Sequence, residues 1–556
     1  MKSKFLQLCL ISGLLSFGSC AQGDIDDLQE QIDGLTEQVG EMEKAQQEAL
    51  LTQIAQLQAL ITGLQSENTD LASEYELLLQ KLQTLQQEVE DGENAIHYGN
   101  VLTEADFDAV VESGASIITG KVAATSQAHV EALANVKLIG GYLEINGGTN
   151  VDLPNLENVA GDLLISGVIE EGAVVSLPKL ASVGGNLQLD ANQGIVSVNA
   201  DELVLIYGKL SLEENKALTS ISMTKLDVIN ELYINEYNKD DPNYVYYGQL
   251  VDLNLSQTDV RSNVNVSYLG QGANLSLGKI GNDFVCSNTG VDTLEIKAET
   301  ISGIFSIENN SSIKDIIVDQ LVRIEGDLNI NNNHNNQGTG TSEGLNSLVG
   351  FESLEFIGGN VKISRNSALT KIDAFNSVTE IQGTNIEISY NGNENELVSI
   401  FSALLTTGPS NYSHASITIN EKTDWFFGFT ELEKAKDVKI RLARTIDASY
   451  TEGEVCRFDG FDALTEVNYL ELLAFDITDF SAFHSLEKFK KYGEYLKLYM
   501  PTDETVGLCS MEPVLTKIKN GDFDNQYNEN VKATFKNGNT DMDRDEAIAR
   551  CLSACN

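Results

Sequence analysis

Asn215-Lys-Ala-Leu-Thr-Ser-Ile221 and Asn366-Ser-Ala-Leu-Thr-Lys-Ile372 are one phrase written twice, and each leads through an apolar turn into a short alternating strand, Leu232-Tyr-Ile234 and Ile386-Glu-Ile388. A phrase that returns in this way marks stacked repeats, each too small to bury its apolar face alone. Outward from these two copies, the same alternation gives inward pairs Leu143/Ile145, Leu163/Ile165, Leu187/Leu189, Leu210/Leu212, Leu232/Ile234, Val264/Val266, Phe284/Cys286 and Phe305/Ile307. They continue with Leu328/Ile330, Val361/Ile363, Ile386/Ile388, Val438/Ile440, Leu470/Leu472 and Leu496/Leu498. The roughly fourteen coils, most of them roughly 20 to 33 residues apart, have the spacing of a solenoid.

Two residue types punctuate the coils. Glycine precedes many strands, as at Gly140-Gly141, Gly184-Gly185 and Gly358-Gly359, where a turn of positive φ is predicted to lead into the strand. Three residues after the second inward position comes asparagine, at Asn215, Asn310, Asn333, Asn366 and Asn391. Stacked at a corner, these side chains are expected to bond the backbone groups the turn exposes.

With its Ile-Gly-Gly-x-Leu-x-Ile phrase followed by Asn and Leu, the chain resembles the leucine-rich-repeat-like receptor L domains over roughly residues 100 to 500. The resemblance implies a mostly β fold: a right-handed leucine-rich-repeat-like β-solenoid over 93–500, with short helices or turns on the outer side. In receptors for insulin and epidermal growth factor such domains bind protein ligands, and related bacterial surface proteins are adhesion-like. The family offers no catalytic residues to carry over. Leu508-Cys509-Ser-Met-Glu-Pro513 resembles the terminal caps of related bacterial repeat proteins, so 501–556 is expected to be a C-terminal cap.

The N-terminal part follows other rules. Lys2 and Lys4 precede an apolar run, Phe5 to Phe17, and small residues, which reads as a signal peptide over 1–19. Ser16-Phe-Gly-Ser-Cys20 resembles the lipobox of bacterial lipoproteins, implying acylation of Cys20, a tether over 20–23, and an outer-membrane, lipid-anchored protein exposed at the cell surface. Over 24–92 a heptad places Ile25, Ile32 and Val39 at a and Leu28 and Leu35 at d; after a skip it resumes with Ile54, Ile61 and Asn68 at a and Leu57, Leu64 and Leu71 at d. A long α-helical coiled-coil stalk on the order of 100 Å is expected. It would make the protein a homo-oligomer, a dimer or a trimer.

A net charge of -47 over 556 residues excludes phosphate-rich partners, so no nucleic acid is expected. The five histidines, His97, His129, His334, His414 and His484, show no metal or nucleophile spacing and are read as structural or surface residues. The acidic run Asp541 to Glu546 begins like a calcium loop but lacks the required glycine; it reads as a helix start with Thr540 as N-cap. Trp425-Phe-Phe-Gly-Phe429 reads as core packing rather than a sugar platform. Neither catalytic residues nor a metal or other cofactor are assigned.

What remains is binding. The strand residues between inward pairs, Glu144, Gln188, Ser211, Tyr233, Asn265, Asn329, Lys362 and Glu387, would form a polar ladder on the solvent face. Beside it Tyr237, Tyr244, Tyr246 and Tyr247 crowd an insertion over 236–250. With Tyr233 they are the candidate contacts for a protein or glycan ligand. The reading is a non-enzymatic binding or adhesion protein; the alternatives are a surface polysaccharide-active enzyme or a purely structural component. Export also predicts disulfides in the cap among Cys456, Cys509, Cys551 and Cys555, with Cys509–Cys551 the first choice of three connectivities, and a buried Cys286 thiol.

Overall fold

The structure is a computed structural model that describes residues 96–236, 248–250, 252–334, 344–392, 397–409, 414–421, 423–442, 456–473, 477–489, 494–499, 508–520, 532–537 and 540–553. The signal peptide, tether and coiled coil expected over 1–92 lie outside the described residues. By its contacts the chain forms two compact units, Met1–Lys209 and Leu210–Asn556.

Beyond the first two coils of the first unit, the coils of both units have three strand-bearing sides. In the first unit, Asn158–Val159, Leu163–Ser166 and Ala173–Ser176 are followed one turn later by Ser182–Val183, Leu187–Asp190 and Ile195–Asn199. Each strand pairs in parallel with its equivalent: Val159 with Val183, Ile165 with Leu189, Val175 with Val198. In the second unit Arg323–Ile324, Leu328–Asn331 and Ser347–Leu348 stack in the same way under Phe356–Ile357, Val361–Ser364 and Lys371–Ala374. The outer side therefore carries the expected short helices only in the first two coils, Glu104–Ser113 and Gln127–Ala132, and in the coils that follow it is made of short strands. The reason is in residues such as Ala173-Val-Val and Lys371-Ile-Asp, which alternate apolar and solvent-facing positions and fit a pleated, half-buried surface.

All fourteen inward pairs are buried, at 0–1% exposure. The sequence reading passed over one more: Ile417 and Ile419, both 0% exposed, lie in the strand Ser416–Glu421, paired in parallel with Asn385–Ser389. No Gly-Gly announces that strand. The expected role of the strand-entry glycines needs correction too, because Gly140, Gly184 and Gly358 do not have positive φ. A Cβ on Gly184 would stand 2.0 Å from the Ala160 carbonyl oxygen, and one on Gly358 2.1 Å from that of Glu325. Glycine is required there because successive coils stack backbone on backbone.

The left-handed positions belong to larger residues. Asn309, Asn332, Arg365 and Tyr390, with φ between 56° and 58°, close the corner after each main strand. The residue that follows each of them is a fully buried asparagine, Asn310, Asn333, Asn366 or Asn391. As expected, these stack. Asn310, Asn333 and Asn366 each donate from Nδ2 to the side-chain oxygen one coil on (3.0, 3.0 and 2.9 Å) and to a strand carbonyl one coil back, that of Cys286, Ile307 or Ile330 (3.0, 2.9 and 2.9 Å). Asn391 ends the series by donating to the buried carboxyl group of Glu421 at 2.8 Å. Burial pushes that carboxyl group well above its ordinary range, against the hydrogen bonds from Asn391, which lower it.

A second corner carries a motif the sequence reading missed, an apolar residue followed three positions later by Leu or Val. It appears as Leu153/Leu156 and Leu177/Leu180 in the first unit, and as Phe351/Leu354, Phe375/Val378, Phe401/Leu404, Phe429/Leu432, Phe461/Leu464 and Phe483/Leu486 in the second. The N–H of the later residue donates to the carbonyl of the earlier one, closing a turn, at 3.2 Å for Leu404 to Phe401. From Phe351 to Phe483 the rings form a buried stack with successive centroids 4.5, 5.5, 5.6, 4.9 and 5.2 Å apart.

At the end of the second unit, helix α1 (Glu512–Asn520) and helix α2 (Arg544–Ser553) flank a strand, Lys532–Asn537, which pairs in parallel with Glu494–Tyr499. Asp543, rather than Thr540, caps α2: its Oδ1 accepts from the N–H groups of Asp545 and Glu546 (3.0 and 3.1 Å). Thr540 is instead in an antiparallel strand, Thr540–Met542. Cys551 shares the buried side of α2 with Ala547 and Ile548 and is a thiol, pushed up to about 12 by burial. The expected Cys509–Cys551 bridge is therefore not formed; spaced with those two residues, Cys551 serves as a small hydrophobe of the helix. Cys286 is the buried thiol expected, likewise pushed up to about 12. Cys555 and the side chain of Cys456 lie outside the described residues.

Candidate functional site

A parallel sheet built one strand per coil turns every second side chain outward, so residues in register form straight rows across its face, about 4.8 Å apart. In the second unit one such row runs Tyr233, Asn265, Val285, Ser306, Asn329, Lys362, Glu387, Thr418, Lys439, Glu471, Lys497. It contains the expected ladder residues of this unit from Tyr233 onward; Ser211, between Leu210 and Leu212, is 1% exposed and donates to Glu213 at 2.9 Å, just as Ser306 within the row is 5% exposed and donates to Glu308 at 2.9 Å. The row is not uniformly polar, since Val285 interrupts it. In the first unit Leu164 stands between Glu144 and Gln188 in the same way.

From Lys362 onward the row alternates cation and anion around Thr418, which the sequence reading did not follow past Glu387. Lys362 and Lys439 are exposed, whereas Glu471 is 7% exposed and held by Arg441 at 3.2 Å and the Tyr469 hydroxyl at 3.0 Å. Glu387 accepts from Ser389 Oγ at 2.7 Å. The carboxylates are thus oriented by neighbours, while Lys362 and Lys439 project into solvent and can meet a partner; Lys497 is half-buried over the Tyr499 ring, 5.4 Å from its centroid. Extending the alternation past the decay of the Asn phrase needed the Ile417/Ile419 strand to set the register.

Of the candidate tyrosines, Tyr233 sits half-buried at one end of this row, beside Asn265. Tyr237, Tyr244, Tyr246 and Tyr247 lie outside the described residues, as does Cys20. In Trp425-Phe-Phe-Gly-Phe429 the strand alternation buries Phe426 and leaves Trp425 40% exposed, with the Arg457 guanidinium 5.2 Å from its ring centroid, while Phe429, one residue past the strand end, is buried by its left-handed backbone. His129 is structural; its Nδ1 accepts from the Thr125 N–H at 3.1 Å, its Nε2 lies 2.7 Å from Glu104, and its ring stacks on Phe107 at 4.0 Å.

Among the described residues no group of three His, Cys, Asp or Glu is placed to hold a metal ion, and no helix is long and apolar enough to cross a membrane. No family model, curated protein or solved structure matches the chain.

Proposed function

We propose that this is a surface-displayed binding or adhesion module, in which the outward face of the main sheet in the second unit engages a protein or glycan ligand. The reading rests on one observation: the in-register row that sets exposed Lys362 and Lys439 among oriented carboxylates and hydroxyls. Such a row offers regularly spaced donors and acceptors on a rigid backbone, which suits recognition of an extended, polar partner. The receptor L-domain resemblance, the lipobox at Cys20 and the heptads over 24–92 belong to the same proposal. They make the protein a lipid-anchored, coiled-coil oligomer of the outer membrane, with residues 501–556 as its cap. In that cap the remaining disulfide joins Cys509 to Cys456 or Cys555.

The test is a glycan array and a panel of extracellular proteins probed with the full chain, then with Lys362→Glu/Lys439→Glu. Both lysines are exposed, so the fold should be untouched and binding to any hit should fall by roughly tenfold or more. Hits that bind the charge-reversed chain equally well would remove this face from the reading.

A further inference from the structure

The third side of the coils in the second unit carries a short sheet whose ladder stops in mid-solenoid. Thr379 and Gln382 donate their N–H groups to the carbonyls of Glu355 and Ile357, both at 2.9 Å. One turn later Leu405 and Gly408 donate in the same way to Thr379 and Ile381 (3.0 and 2.8 Å). By that rule the next turn should close on the carbonyls of Leu405 and Thr407. It does not, for the Ala435 N–H goes forward to Glu466 at 3.1 Å and that of Lys436 goes to Ala415 at 2.9 Å. Thr406–Thr407 is the last strand of its sheet, and the side resumes at Lys434, bridged in parallel to Glu466, with Glu466–Val467 and Lys488–Phe489 as a separate pair.

A groove of about 430 Å³ lies at this break, lined among others by Glu380, Thr406, Thr407, His414, Glu433 and Lys434. The volume is in the range of ligand sites, roughly 300 to 1,000 Å³. Its chemistry is one-sided. The strand edge offers two carbonyl acceptors that no N–H of a described residue fills, that of Leu405, which is 53% exposed and supplies an apolar rim, and that of Thr407, which is 3% exposed with the Ala415 N–H on its Oγ1 at 3.1 Å; Glu380 and Glu433 add carboxylates. Lys434 offsets only one of the two carboxylates, in a chain whose net charge is -47.

We propose that this groove is a second binding site, which takes a short extended basic peptide segment as an added strand on the Thr406–Thr407 edge. A peptide brings what the groove lacks: a row of backbone N–H donors for the open carbonyls and Lys or Arg side chains for Glu380 and Glu433. An amino sugar would satisfy the carboxylates but has no donor row at strand spacing. The site is on a different side of the coil from the Lys362–Lys439 row, so each stands or falls alone.

The experiment is fluorescence anisotropy of the full chain with a fluorescein-labelled, end-capped hexapeptide alternating Lys and Thr. Saturable binding is expected, weakened roughly tenfold by Glu380→Gln/Glu433→Gln at an unchanged unfolding midpoint. On the wild-type chain, the same peptide N-methylated at alternate amides keeps its charge, loses its donors and should not bind. Absence of saturable binding, equal binding of the N-methylated peptide, or binding of a chitosan hexamer in place of the peptide would each overturn the proposal.

Discussion

The two units solve one corner with different residues. In the first unit the turn that ends the outer strand opens on Leu153, Leu177 or Ala200; in the second it opens on Met223, Val318 and Phe351, and then on Phe375, Phe401, Phe429, Phe461 and Phe483. None of the residues up to and including Phe351 is left-handed, whereas the five phenylalanines from Phe375 onward all are, with φ between 54° and 61°. A left-handed non-glycine residue costs on the order of 1–2 kcal/mol. A buried ring contributes about 1.5–3 kcal/mol and each ring-to-ring contact about 0.5–1.5. The aromatic stack therefore outweighs the backbone penalty. The difference teaches that a coil corner tolerates an unfavourable conformation wherever the next coil supplies the same ring to lie on.

The comparison breaks most directly at Phe429, whose ring lies 5.6 Å from Phe401 and 4.9 Å from Phe461. Phe429→Ala should destabilise the chain by about 3–5 kcal/mol, while Leu177→Ala in the first unit should fall nearer about 2–3. Urea unfolding of the two variants beside the wild type measures both. If Leu177→Ala proved the more damaging, the stack would not be what holds the left-handed corner.

The opposite corner of the second unit uses hydrogen bonds where this one uses rings. Removal of Asn366 leaves the N–H and Nδ2 donors of Asn333 without the oxygen they reach at 3.0 Å, and the Ile330 carbonyl without its 2.9 Å donor. Orphaned buried polar groups cost about 1–3 kcal/mol each, with partial relief from local rearrangement. Asn366→Ala should thus cost about 2–3 kcal/mol, below Phe429→Ala, in the same urea titration. A loss under about 0.5 kcal/mol would show that water replaces the side chain and that the ladder is not a closed network.

These corners also separate what was legible in the sequence from what was not. The inward pairs were legible because a period of two survives any change in loop length. The asparagines were legible because they keep a fixed offset from those pairs. The Phe-x-x-Leu turns, with Phe375-x-x-Val378 as their one variant, keep no fixed distance from the main strand, so aligning on Leu-x-Ile scatters them, although five copies and the variant are there to be counted. The strand-entry glycines were seen but misassigned, since contact with a neighbouring coil is a fact of stacking and leaves no local signature. Of the candidate site, the polar row was legible only up to Glu387, where the Asn phrase gives way to Glu421 and the next strand no longer looks like its predecessors.

Glu421 is where the ladder ends, and it offers the finest test of the polar corner. It is 2% exposed, and its carboxyl oxygens accept from the Asn391 N–H at 3.1 Å and from Asn391 Nδ2 at 2.8 Å. Burial disfavours the charged form more than these bonds favour it, so the folded chain holds this proton above the group's ordinary value of 4.5. The folded state therefore binds the proton more tightly than the unfolded state. The resulting stabilisation is complete below the ordinary value and is lost as pH rises through the raised one. Glu421→Gln keeps an oxygen for Asn391 and cannot ionise. Unfolding midpoints of wild type and variant, compared at each pH from 4.5 upward, should nearly coincide at the acid end and separate in favour of the variant as pH rises. Comparison at matched pH cancels the repulsion that the chain's other carboxylates share. A constant difference across the range would mean that the Glu421 carboxyl titrates like an exposed one, and that Asn391 lies on a hydrated end of the ladder.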